Sequence, residues 1–73
     1  MDTWVVLEIQ SNGEQIAVIP TTHTSWNDAL SKFYQTMVSA AQSEVPEHTV
    51  AILDRIGQVA KKETIYHGEV SAE

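Results

Sequence analysis

The chain has no cysteine. Disulfide staples and thiolate metal sites are thereby excluded. Three histidines leave little else for zinc, which takes three or four ligands. Bases are scarce, with four Lys and Arg against ten Asp and Glu and a formal net charge of −6. Lys61-Lys62 is the one cationic cluster and Arg55 the sole arginine. Binding to phosphates needs a basic patch, so nucleic acid is not an expected partner. The acids are spread along the chain without a run, which suits a solvated acidic surface better than a mimic of DNA. The three glycines are scattered and form no phosphate-cradling loop, and neither G-x-S-x-G nor H-E-x-x-H occurs. No apolar run approaches the roughly 18 residues of a membrane span. No basic stretch follows Met1-Asp2-Thr3, so neither a membrane partner nor a signal peptide is expected. The expected compartment is the cytoplasm.

What is present is one clear helical period. Over residues 25–43, Trp26, Ala29, Leu30, Phe33, Met37, Ala40 and Ala41 recur at steps of three and four, which places them on one face of a helix. Ser25 is the expected cap, and Asp28, three residues on, puts negative charge near the positive end of the helix dipole. Pro46 disfavours helix at Val45, and no glycine follows Ser43 to close the end in a left-handed cap, so an irregular last turn is expected.

The rest reads as strands. Residues 3–10 (TWVVLEIQ) are β-branched and aromatic, and Asn12-Gly13 is a hairpin signal that returns the chain along residues 15–20. A two-residue loop there would set Ile9 opposite Ile16 and Leu7 opposite Val18. Residues 47–54 (EHTVAILD) form a third strand, and residues 58–67 (QVAKKETIYH) a more polar fourth. Residues 68–73 are an expected frayed tail. At 73 residues the chain is a single domain. The result is an α+β domain, ββαββ, with one helix packed on a four-stranded mainly antiparallel sheet. Two strand orders are compatible with it. The order 2-1-3-4 is preferred over the β-grasp-like 2-1-4-3, because Lys61, Lys62 and Glu63 suit an edge better than a centre.

A sheet covered by one helix needs one apolar face, and this sequence offers two. Val5, Leu7, Ile9, Ile16 and Val18 form one set, expected to face the helix. The other face then carries Trp4, Val6, Ala17 and Ile19 around Glu8, with Leu53 and Tyr66 joining from the later strands. A monomer rarely exposes a large contiguous apolar patch, and so short a chain buries little core alone. Association is therefore expected, as a homo-oligomer (a dimer) or with another protein, through Trp4, Val6, Ile19, Leu53 and Tyr66.

Chemistry is sparse. A turn at Ile56-Gly57 would set His48 opposite Ile65 and make His67 its diagonal neighbour. Two imidazoles so placed are weak candidates for a metal site, lacking a third ligand. His23 reads as an ordinary loop residue. No cofactor and no enzymatic activity are expected, for want of a catalytic constellation and of room for a closed pocket. Two rivals to an association role remain: a small acidic inhibitor of a host protein, binding a basic partner in a salt-sensitive way, and a His-based metal or ligand binder.

Four segments carry a resemblance: Trp4-Val5-Val6-Leu7-Glu8-Ile9-Gln10, Ser31-Lys32-Phe33-Tyr34, the run from Ala40-Ala41 through Ser43, Val45 and His48, and Glu63-Thr64-Ile65-Tyr66-His67. Together they resemble a family of small proteins of unknown function found in prophages and gut Firmicutes, with the same strand, hairpin and helix layout. The resemblance implies a phage-like origin, a host cytoplasm as the compartment, and a role in particle assembly or in managing the host. Tyr34 departs from that family's pattern, which often has His there. The resemblance supplies no site residues.

Overall fold

The computed structural model describes residues 3–67, so the expected tail at 68–73 lies outside the described residues. The elements are β1 (Trp4–Ser11), β2 (Ile16–His23), α1 (Trp26–Ala41), β3 (Glu47–Asp54) and β4 (Val59–Tyr66). They form one four-stranded sheet of order β2-β1-β3-β4, antiparallel throughout, with α1 packed on one face. This is the preferred order. The polar β4 takes an edge, and the apolar β1 and β3 take the centre.

The first turn departs from expectation. Ser11 pairs with Ile16, so the loop is residues 12–15, not a two-residue turn. Asn12 does not adopt positive φ. Its side-chain oxygen instead accepts the N–H groups of Glu14 and Gln15, each at 2.9 Å, and Gly13 alone takes a left-handed conformation, at φ 92°. The side-chain cap replaces the paired left-handed conformation that a tight turn needs. Leu7 therefore faces Pro20 and Ile9 faces Val18, a slip of two residues that leaves every side chain on the face it would otherwise have had. β2 also continues through Pro20 to His23. An edge strand tolerates a proline because its outer side has no neighbour to bond.

The second hairpin follows the expected register, with His48 opposite Ile65. Asp54 closes its turn by accepting N–H groups from Ile56 and Gln58 on its side chain and from Gly57 on its carbonyl. A bulge follows: Ile52 pairs with Lys61 and Leu53 with Val59, so Ala60 is the extra residue.

α1 begins where the sequence indicates. The Ser25 hydroxyl accepts the N–H of Asp28 at 3.1 Å. The end is irregular, as expected without a glycine: the N–H groups of Gln42 and Ser43 donate to Ser39 and Ala40 three residues back. Ala29, Phe33, Thr36 and Ala40 are buried, and Leu30 and Met37 pack beside them. The hydroxyl of Thr36 is satisfied by donating to the Lys32 carbonyl.

The face assignment is the main correction. The core joins Ala29 and Phe33 of the helix to Val6, Val50 and Ile52 of the sheet, with Trp4 packed against them. Val6 is 2% exposed. Trp4 and Val6, expected on the association surface, lie under the helix, and Val5, Leu7 and Ile9 lie on the uncovered face. The physical reason is that both faces of β1 are apolar, so its period-2 pattern does not choose between them. The choice is made elsewhere, by Trp26 meeting Trp4 edge to face at 5.0 Å and by Ile52 and Val50 sharing a face with Val6.

Candidate functional site

The uncovered face follows from the register. Residues directly opposite on antiparallel strands share a face, which gives four cross-sheet rows. Thr22, Val5, Leu53 and Val59 form the first. Pro20, Leu7, Ala51 and Lys62 form the second, Val18, Ile9, Thr49 and Thr64 the third, and Ile16, Ser11, Glu47 and Tyr66 the last. Apolar side chains dominate the centre and reach both edges. Ile16 is 69% exposed, Val18 54%, Val59 57% and Tyr66 72%. Ala51 is 6% exposed, a small side chain set among the larger Leu7, Thr49, Leu53 and Lys62. Among the described residues of these rows, Glu47 and Lys62 alone are charged.

With strands of eight residues, a rise of ~3.3 Å and a strand spacing of ~4.8 Å, the face covers about 500 Å² in projection. Ten of its sixteen positions are apolar, so the apolar part is about 300 Å², within the range of the largest patches that monomers expose and that often have a function. No described element packs on it.

Of the residues expected to carry association, Leu53 and Tyr66 are on this face. Ile19 is exposed, but it pairs with Glu8 and so lies on the helix side. Trp4 and Val6 are core. Val5, Leu7, Ile9 and Val18, expected under the helix, lie on the open face instead.

The second cluster is polar and lies on the helix side. His48, which sequence reading left at a strand end, is 2% exposed. Its Nδ1–H donates to the Glu8 carboxylate at 3.2 Å, and the same oxygen accepts Gln10 Nε2 at 3.0 Å. The His67 ring stands edge-on to that of His48, with centroids 6.4 Å apart. His67 Nε2–H donates to the Ala40 carbonyl at 2.7 Å, and its backbone N–H donates to Pro46 at 2.7 Å. The last turn of α1 carries no basic side chain of its own, so His67 supplies from β4's end the donor that a helix C-terminus favours. The pair thereby ties the helix end to the sheet.

What this cluster can do chemically is narrow. Glu8 orients His48 as an acid orients a base, but His48 Nε2 is buried without a hydrogen-bond partner, so no hydroxyl or amine is placed to receive its action. Among the described residues no group of three or more His, Asp or Glu is placed to hold a metal ion. An open hollow of about 470 Å³ lies nearby, lined by Gln10, Asn12, Gln15, Ile16, Ala17 and Val45. These side chains are uncharged and provide no acid or base.

Lys61 has a structural part that its position in sequence did not announce. Its ammonium lies 5.4 Å from the Phe33 ring centre and 5.7 Å from that of Tyr34, which roofs the gap between α1 and the edge strand. Compared with known proteins, the chain has no match: no family model fits it, and no curated protein and no solved structure is significantly similar to it.

Proposed function

We propose that this chain is a small, acidic, non-enzymatic interaction or assembly domain that works through the uncovered face of its sheet. One observation carries the reading: on the side away from the only described helix, an apolar patch centred on Val5, Leu7, Ile9 and Leu53 reaches Val18 and Ile16 at one edge of the sheet and Val59 at the other. An apolar surface of this extent in contact with water is costly, at ~25 cal/mol per Å², and a chain that keeps it has a use for it. The resemblance to prophage proteins adds a phage-like setting, in assembly or in managing a host, with the cytoplasm as its place. No described helix is long and apolar enough to cross a membrane.

Paired substitutions test the reading. Leu53→Lys with Val59→Lys alters the open face, and Trp4→Ser with Val6→Ser alters the core. The open-face variant keeps its circular dichroism spectrum and loses higher-mass species where wild type self-associates, or the binding of an apolar dye where wild type is monomeric. The core variant unfolds. If the open-face variant unfolds as readily as the core variant, that face is covered within the chain and the reading is wrong.

A further inference from the structure

The partner that would sit on the open face can be argued from the face itself, and the argument rests on the association reading above. We infer that the occupant is a second copy of this chain, stacked face to face about a two-fold axis that runs parallel to the strands between β1 and β3.

The edges are the first consideration. Two copies of a sheet protein can also join strand to strand, but both edges here are obstructed. β2 carries Pro20 within its length. β4 carries the bulge at Ala60 and then Lys61, Lys62 and Glu63, devices that discourage further pairing. A strand of ~26 Å paired along a width of ~5 Å contributes about 130 Å² in projection, against about 500 Å² for the face. Stable interfaces bury ~800 Å² of accessible surface per partner. The face comes much nearer to that figure than an edge does.

Charge is the second. The molecule carries −6, yet the four rows of the face hold one acid, Glu47, and one base, Lys62. Glu8, Asp54 and Glu63 share the helix side by register, Asp28 is on α1, and Glu14 and Glu44 are in loops. A basic partner would find nothing on the open face to recognise. A neutral apolar surface suits it, and its own twin is one.

Shape is the third. The proposed axis lays β1 of one copy over β3 of the other and β2 over β4. Leu7 then sits above the small side chain of the second copy's Ala51, and the reverse contact is made by the same symmetry. Ile9 meets Thr49, and Ile16 meets Tyr66. Large over small in the central rows is what an interdigitated core requires. Inclining the axis by about 15° to the strands gives the usual rotation of about 30° between stacked sheets, which displaces the outer rows and leaves the central ones in place. Lys62 extends its stem over the second copy's Pro20 and keeps its ammonium at the rim.

Sedimentation velocity of the full chain over a wide concentration range, with three variants, tests this. Wild type is expected to sediment as a dimer. Ala51→Leu adds bulk where Leu7 of the second copy would sit and weakens the dimer by about tenfold or more. Leu7→Ala weakens it by removing the knob, and the combined Leu7→Ala, Ala51→Leu chain recovers most of the loss. If Ala51→Leu fails to fold by circular dichroism, Val18→Glu on the exposed part of the same face serves in its place. Added salt strengthens the dimer, because it screens repulsion between two acidic copies. A dimer indifferent to these substitutions, or one that the combined variant does not rescue, overturns the stacking. A monomeric wild type overturns the second copy as occupant. In that case dye binding separates the two ideas: a monomer whose open face binds an apolar dye retains the association reading, and one that binds none loses that reading as well.

Discussion

Glu8 shows how much a single side chain settles in this protein. It keeps 18% of its side chain exposed, accepts hydrogen bonds from His48 and Gln10, and leaves the imidazole oriented under the helix end. Removing it strands His48 Nδ1–H in the interior, and a buried polar group without a partner costs ~1–3 kcal/mol. Glu8→Ala is therefore expected to lower stability by about that amount in urea unfolding. Glu8→Gln retains an acceptor oxygen and is expected to recover at least half of the loss. Equal losses in the two variants would mean that the bond to His48 contributes nothing. None of this was legible in the sequence. The spacing of His48 and His67 placed them as neighbours, and they are neighbours. Their burial depended on which face of the sheet the helix covers, and the residues of β1 do not announce that.

Among the elements, the second hairpin was the most readable and the first strand the least. Gly57 sits at φ 90° with open space around the position of a side chain, so its replacement is a clean measure of backbone cost. Gly57→Ala is expected to destabilise the domain by ~1–2 kcal/mol without altering packing. A neutral effect would show that the turn relaxes into another geometry. The register of β3 on β4 followed from this turn, and the edge position of β4 followed from Lys61, Lys62 and Glu63. The loop at residues 12–15 escaped because Asn-Gly was read for its backbone preference, when the Asn12 side chain was the operative feature. The faces escaped for a deeper reason. β2 and β3 both run antiparallel to β1 and so run parallel to each other, which makes α1 a crossover. The usual hand of such crossovers fixes the side of the sheet on which the helix lies, but not which alternate residues of β1 point there.

At the scale of the whole molecule, the described residues form two layers, and the open side is close in apolar character to the closed one. If the open side is covered by a partner copy, folding and association are linked. The melting temperature of wild type is then expected to rise with protein concentration, as mass action requires. The Leu53→Lys, Val59→Lys variant should melt at a temperature independent of concentration. Calorimetry at concentrations tenfold apart distinguishes the two. A concentration-independent transition in wild type would mean that the isolated chain is the cooperative unit.

The small polar cluster beneath the helix gains a different significance from this near symmetry of the sheet. A sheet that is greasy on both sides has two nearly degenerate ways to receive its helix, and burial of area alone scarcely separates them. Glu8, Gln10 and His48 are neighbours within the sheet and bond one another whichever side is roofed, whereas the bond from His67 to the Ala40 carbonyl exists only when α1 covers their side. On the opposite arrangement the helix would close over Leu7 and Ile9, and His67 would have no helix carbonyl to bind. That one bond between the end of β4 and the end of α1 favours the native arrangement over its inverted competitor. It gives a chain of uniform grease a top and a bottom.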